Sequence, residues 1–352
     1  MIDGSPAPIH FRVMLGVDSF GGYGGGGHGG SEPLLLLLLA LIIEAFVGDP
    51  PALFRAIPHP VAAFGRLVDA LEKRLNRAER SARNRAVRGA VVVVFLASLA
   101  ALAAWAVASL ARSVPWGWSL EVAVLVVLIA QRGLFDHTDS VAVALRENGL
   151  EAGREAVRHV VGRDVKHLDG HGVARAAIES CAENFNDGVL APVFWYALLG
   201  LPGLMVYKAV NTMDSMIGHT TPRYRDFGKA AARCDDALNF FPARISGLVI
   251  ALAALFVPTA NAGRALRIMW RDAGKHRSLN AGWPEGAMAG ALDLALAGPR
   301  VYEETVARDS WIGDGEARAT HRDIRRALHL FAVACLINIA LVAALLLVSL
   351  SA

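Results

Sequence analysis

AVVVVFLASLAALAAWAVASLA, residues 90–111, runs for 22 positions without a charged side chain. At 1.5 Å of rise per residue a helix of that length is about 33 Å long, enough to cross the hydrocarbon core of a bilayer. Leu330–Leu350 reads the same way, with one polar interruption at Asn338. The shorter apolar runs are Leu34–Val47, which holds Glu44, and Leu120–Ala130, with Trp116 and Trp118 where an interfacial belt would sit. Val189–Val210, which holds Pro192 and Pro202, and Ile245–Val257 complete the set. The pattern predicts an all-α, polytopic integral membrane protein with roughly four to six hydrophobic helices, some of them re-entrant. The prolines make Val189–Val210 the best candidate for a broken segment, tolerated at membrane depth only where protein or a cavity covers it.

Composition agrees. Of the 352 residues 54% are hydrophobic and 19% charged, against about 25% charged in soluble domains. Mean hydropathy is +0.41. A net charge of +3 gives no nucleic-acid footprint. Cys181, Cys234 and Cys335 are scattered and form no CxxC, so neither a disulfide framework nor a zinc site is indicated. Residues 1–33 read as a disordered extension, nearly all glycine from Gly21 to Gly30. No cleavable signal peptide is expected, because the first long apolar run begins only at Leu34. Residues 34–352 read as one membrane-embedded domain carrying a cytoplasmic polar helical insert over 132–187, with helix stops at Asn148-Gly149 and Gly162. Arg66–Arg88 sets eight basic residues against Asp69, Glu72 and Glu79, which predicts a cytoplasmic position.

Polar residues concentrate in four stretches, each abutting an apolar run. The first places Asp49 and His59 among rigid prolines in GDPPALFRAIPHP (48–60); a helix-ending turn is the plain alternative. In the second, ESCAENFNDG (179–188), Glu179, Glu183 and Asp187 recur every four residues, one shared face of a regular helix. Like charges so spaced repel, so the face invites a cation, unless it is simply a solvated acidic face. The third runs from Asn211 to Arg244 and mixes Asp214, Arg223, Tyr224, Arg225, Asp226, Asp235, Asp236 and Asn239. Such density between apolar segments requires pairing or a charged ligand. The fourth, DAGKHRSLNAGWPEG (272–286), sets Lys275, His276 and Arg277 before Ser278 and Asn280 as a phosphate cradle. Gly286 and Gly290 after it form a small-xxx-small packing face.

Together these stretches resemble the adenosylcobinamide-phosphate synthase family, the CobD/CbiB family of cobalamin biosynthesis. The matching segments are GDPPALFRAIPHPVAAFGRLV (48–68), ESCAENFNDGVLAPVFW (179–195), YKAVNTMDSMIGHTTPRYRDFGKAAARCDDALNFFPAR (207–244) and DAGKHRSLNAGWPEGAMAGAL (272–292). Leu279 departs from the family pattern, which has proline there. The resemblance implies condensation of a carboxylate of adenosylcobyric acid, a corrinoid, with (R)-1-aminopropan-2-ol or its O-phosphate. ATP drives it and adenosylcobinamide or its phosphate results. Re-entrant geometry for both Val189–Val210 and Ile245–Val257 would keep the four motifs together on the cytoplasmic side, where ATP is, so a cytoplasmic membrane location with the site facing the cytoplasm is expected.

Residue chemistry then suggests roles. Such a site needs Mg²⁺, cations for phosphates, a base for the ammonium and donors for an oxyanion. Glu183, Asp187 and Asp214 are the metal-side acids, with Glu183 also a catalytic candidate. Arg223, Arg225, Lys275 and Arg277 are assigned to phosphates, with Tyr224, Asn280, His59, Asn184 and Asn211 as further substrate contacts. Asp226 or His276 takes the amine proton. The competing readings are a membrane transporter, a Mg-dependent prenyl- or phosphotransferase, and a scaffold for soluble corrinoid enzymes. Self-association is left open.

Overall fold

Residues 33–48, 59–161, 165–298, 300–302, 305–307 and 310–351 are described by a computed structural model. The glycine-rich run, Asp49, Pro50, Pro51, Pro58 and Gly162 lie outside the described residues. The structure is helical: α1 (Pro33–Val47), α2 (Pro60–Leu75), α3 (Ala82–Ser113), α4 (Trp118–Leu128), α5 (Gln131–Glu147), α6 (Gly149–Arg158), α7 (Gly170–Asn184), α8 (Ala191–Ile217), α9 (Lys229–Ala253), α10 (Ala262–Asp272), α11 (Gly282–Leu292) and α12 (His321–Ser351). Short antiparallel strand pairs, β1 (Leu296–Ala297) with β4 (Trp311–Ile312) and β2 (Arg300–Tyr302) with β3 (Thr305–Ala307), lie between the last two helices. Five described segments are long and apolar enough to cross a membrane: Ala82–Ser113, Trp118–Glu147, Gly170–Ile217, Lys229–Ala253 and His321–Ser351. The chain is a multi-pass membrane protein.

Local chemistry sets the boundaries. Ser81 caps α3 by accepting the Asn84 N–H at 3.3 Å, so the arginines at 83, 85 and 88 form the first turns of the helix that becomes the long apolar run. Asp169 caps α7 through the Gly172 N–H at 2.6 Å. Gly149 ends the preceding helix at φ 83°, as the Asn-Gly pair predicts. Gly286 and Gly290 do pack: a Cβ there would meet Met269 Cα at 3.0 Å and the Arg264 oxygen at 2.4 Å.

The decisive element is the segment from Gly170 to Ile217. Helix α7 passes through a π-helical turn, Phe185–Leu190, into α8, and α8 reverses at Gly200 (φ 65°, ψ −158°). A Cβ on Gly203 would stand 2.5 Å from the Trp195 carbonyl oxygen. In a straight helix residues eight apart are separated by about 12 Å. Asn211 hydrogen-bonds Asp187 at 3.2 Å. Both contacts are symmetrical about the reversal, so the two arms lie antiparallel. Each arm between Gly200 and the Asp187–Asn211 level is about 18 Å long, too short to cross a bilayer. Pro202 opens the returning arm, where a missing N–H breaks no helical bond. The stretch folds back on itself as a helical hairpin, the shape a re-entrant segment requires.

Ile245–Val257 is not a second hairpin. It is the latter half of α9 and the turn after it. Helix α9 still stays at one end of the bundle. Its first half meets the Asp187 level, and beyond its end the Thr259 oxygen accepts from Arg326 in the first turns of α12 at 2.8 Å. Further along α12, Phe331 meets Phe185 edge-on at 5.8 Å, and Val342 joins the apolar cluster that holds Tyr196, Leu201 and Leu204 of the hairpin.

The φ and ψ at Gly200 are essentially reserved for glycine. Gly200→Ala is therefore expected to lose about 1–3 kcal/mol of stability. Gly170→Ala, where a Cβ meets nothing within 4 Å, should change little. Thermal unfolding in detergent compares them, and equal midpoints contradict a reversal constrained at Gly200.

Candidate functional site

Where the hairpin arms end, polar side chains gather between α7, α8 and α9. Asn211 Nδ2 donates to Asp187 Oδ2 and to Asp235 Oδ1, both at 3.2 Å. Asn186 Nδ2 donates to Asp187 Oδ1 at 2.7 Å and to Asn239 Oδ1 at 2.8 Å. Asn239 Nδ2 in turn donates to Asp235 Oδ2 at 3.0 Å, and the buried Tyr207 hydroxyl donates to Asn239 Oδ1 at 3.0 Å. Asp214 lies within electrostatic reach of Asp187 and Asp236. The π turn positions the cluster, because its widened backbone also lets the Gly188 oxygen accept the Ala130 N–H at 3.0 Å, where α4 gives way to α5. Glu44 of α1 accepts from the Arg132 N–H at 2.9 Å and a Cβ on Gly48 would touch Arg132, so the first motif starts beside the same mouth.

Several carboxylates elsewhere have a cationic partner. Glu72, 2% exposed, takes a bidentate Arg223 at 2.9 and 2.6 Å. Burial alone would push the Glu72 carboxyl up, but the Arg223 and Asn76 hydrogen bonds outweigh it and hold it below the usual range. Arg85 lies 3.7 Å from Asp226 and donates to the Pro222 and Arg223 oxygens at 3.0 and 2.8 Å. Asp272, fully buried, is met by Arg271 at 2.7 Å, Lys275 at 2.5 Å and the Gly313 N–H at 2.9 Å. Burial works to raise its pKa; those donors prevail and hold it well below the carboxylate range. By contrast Asp187, Asp214, Asp235 and Asp236 have no basic side chain within 4.0 Å among the described residues; Lys208 and His219 reach Asp187 and Asp214 only electrostatically, at longer range.

The residues singled out from sequence therefore divide. Asp187, Asn211 and Asp214 come together. Asn280 joins them by donating to the Asp236 oxygen at 2.9 Å. Arg223 and Asp226 pin the 218–228 loop to α2 and α3, while Arg225 is exposed, 3.9 Å from Asp226. Tyr224 lies near the His219 ring, 6.2 Å between centroids, on that same loop. Lys275 serves Asp272. His276 Nδ1 accepts the Ser278 N–H at 3.0 Å, with Nε2 3.6 Å from Glu285, and Arg277 is exposed. His59 caps α2 by accepting the Val61 N–H at 3.2 Å, and Asn184 donates back to the Ser180 oxygen at 2.9 Å.

The shared acidic face of 179–187 is broken. Glu179 is buried and accepts the Ala297 N–H at 2.7 Å, Glu183 is exposed, and only Asp187 enters the cluster. The π turn shifts the helical register after Asn184, which the regular four-residue spacing could not anticipate. Asn186, Tyr207, Asp235 and Asn239 enter the site without having been assigned to it. Their signal was there: Tyr207 and Asn211, like Asp235 and Asn239, are one turn apart on otherwise apolar helices.

Among the described residues no three His, Cys, Asp or Glu side chains form a closed metal cage. Two carboxylates held on one amide fit Mg²⁺, which uses one or two carboxylates and completes its shell with water and phosphate oxygens.

The profile of the family described as CobD/Cbib protein matches residues 37–331. The chain belongs to the CobD/CbiB family. Among curated relatives, the Cobalamin biosynthesis protein CobD of a Sinorhizobium species is 49% identical over 302 residues, covering 84% of this chain and 93% of the relative. That of Brucella anthropi is 47% identical over 298 residues, covering 83% and 90%. That of Rhodobacter capsulatus is 44% identical over 299 residues, covering 83% and 90%. No solved structure matches the chain. The CobD/CbiB assignment makes it a cobalamin biosynthesis protein and favours that reading over transport or prenyl transfer.

Two stability experiments separate paired from unpaired acids. Arg223→Ala leaves Glu72 buried without its partner and should lower the thermal midpoint, whereas Asp187→Asn relieves repulsion and should leave it unchanged or higher. Asp272 has a folded pKa below its unfolded value. Its contribution is complete above about pH 4 and is lost as pH falls through the folded pKa. The stability gap between wild type and Asp272→Asn should stay constant from neutral pH to about pH 4 and shrink below it. A gap that widens in acid contradicts the pairing.

Proposed function

We propose that the chain is the ATP-dependent amide synthase of its pathway, joining a corrinoid carboxylate to (R)-1-aminopropan-2-ol or its O-phosphate. The observation that carries this reading is the group of four acids at the hairpin mouth with no cationic side chain within ion-pair distance among the described residues, while Glu72, Asp226 and Asp272 each have one. Such a group calls for a cation supplied by substrate or metal, and the reaction has both, an ammonium and magnesium nucleotide. The rest of the mouth suits the same chemistry, with the exposed Arg225, Lys229, Arg233 and Arg277 on the neighbouring segments.

Asp187 and Asp235 would hold Mg²⁺, aligned by Asn211 and Asn239. When bound, the metal neutralises phosphate charge and polarises the phosphoryl group. The carboxylate attacks the γ-phosphorus of ATP, ADP leaves, and an acyl phosphate forms. The amine then attacks the acyl carbon, and phosphate leaves with the C–O bond electrons. Asp214, with Asp236 beside it, attracts the ammonium and accepts its proton. This replaces the earlier candidates for the base: Asp226 is engaged by Arg85, and His276 Nδ1 already accepts a backbone N–H. The arginine-rich turns of α2 and α3 support the 218–228 loop, so the positive-inside rule favours a cytoplasmic mouth, where ATP is.

Purified protein in detergent with adenosylcobyric acid, Mg²⁺, ATP and each amine should give the amide, read by mass spectrometry. Asp187→Asn and Asp235→Asn should each lower turnover about 100-fold or more, with Glu183→Gln within a few-fold of wild type. No amide with either amine removes the assignment. Loss on Glu183→Gln equal to that on Asp187→Asn removes this choice of metal ligands.

A further inference from the structure

Arg244, in the fifth turn of α9, is held unlike any other cation described in the chain. Its guanidinium carbon lies 3.6 Å from the centroid of the Phe240 ring and 4.6 Å from that of Trp283. Nη1 donates to the Phe240 oxygen at 2.5 Å and faces Asn280 Oδ1 at 3.4 Å. No carboxylate lies within ion-pair distance of it among the described residues. Its Nε and Nη2 donate no hydrogen bond there, and neither is sealed from solvent. Two aromatic rings and one anchored nitrogen thus fix the plane of the fork and leave its other edge presented. Asn280 links the anchored Nη1 side of the fork to the acid cluster, because the same side chain donates to the Asp236 backbone oxygen at 2.9 Å.

We propose that Arg244 is a substrate-binding residue whose Nε–Nη2 edge takes a phosphate oxyanion of the nucleotide bidentately. This deepens the reading above and rests on it for the identity of the nucleotide. A planar fork locked by stacking loses little freedom on binding, and Arg matches two phosphate oxygens where Lys offers a point charge. Four nearby carboxylates would repel a polyphosphate, so the site needs an unpaired guanidinium alongside the metal, and Arg244 is the one fixed there. The flanking Phe240 and Trp283 are holders of the fork, with Asn280 as the spacer between it and the acids.

The test is equilibrium binding of MgATP to the full-length protein in detergent, by calorimetry, for wild type, Arg244→Gln and Arg244→Lys. The proposal expects affinity to fall about 10- to 100-fold in Arg244→Gln and nearly as far in Arg244→Lys, since the fork is lost even with the charge kept. Wild-type affinity in folded Arg244→Gln overturns it. Should that variant fail to fold, Arg244→Lys decides, and wild-type affinity there overturns the bidentate assignment. Doping the micelles with phosphatidic acid separates a soluble phosphate from a lipid headgroup. The nucleotide assignment expects unchanged MgATP affinity, and competition by the lipid that disappears in Arg244→Gln overturns it. Binding of MgATP without amide formation would retire the synthase reading and leave Arg244 standing. Amide formation with unchanged MgATP affinity in Arg244→Gln does the reverse.

Discussion

Carboxylates held beside an apolar bundle must find positive charge, and the whole arrangement turns on which of them find it within the chain. Glu72, Asp226 and Asp272 have arginine or lysine partners, and these partnerships fasten loops to helices. Asp187 and Asp235 meet amides instead, with Asp214 and Asp236 in electrostatic reach and no cationic side chain within ion-pair distance among the described residues. Keeping four acids together costs electrostatic energy that a structural role would not require. Their place at the end of a helical hairpin, with amide donors holding the side chains of Asp187 and Asp235, is what distinguishes a site prepared for an external cation from a network of internal ion pairs.

The hairpin makes that gathering feasible. A straight crossing by 189–210 would have carried Asn211 and Asp214 to the far end, away from Asp187. The reversal at Gly200 brings the second and third motifs back to one level. The π turn then widens the helix where Asp187 must face the returning arm. Arg85 and Glu72 hold the 218–228 loop above the same mouth, and a Cβ at Gly89 would meet the Phe227 oxygen at 1.8 Å, so α3 lies directly on that loop. Asn280 brings the fourth motif in through the backbone of Asp236. The phosphate-binding edge assigned to Arg244 follows from the same construction, since α9 and the segment before α11 meet there.

Much of this was legible in the sequence. The long apolar runs gave the bundle, prolines marked the broken segment, and the density of polar residues beside those runs marked the regions that converge. Composition could not say which charges pair. Arg223 and Asp226 looked like binding groups because their partners, Glu72 and Arg85, lie well over a hundred residues earlier in the chain. The acidic face of 179–187 misled for a local reason: a regular helix was assumed across residues whose backbone takes π geometry. Asp235 and Asn239 were visible as a polar turn but acquire meaning only once the hairpin sets Asn211 beside them.

The central claim is that the acid group at the hairpin mouth accepts a divalent cation through Asp187 and Asp235. Titrating the purified protein with Mn²⁺ and counting bound ions by electron paramagnetic resonance tests it without substrates. The account predicts a saturable site in the wild type that is lost in the Asp187→Asn, Asp235→Asn double variant and displaced by excess Mg²⁺. Equal Mn²⁺ binding by wild type and the folded double variant would contradict it.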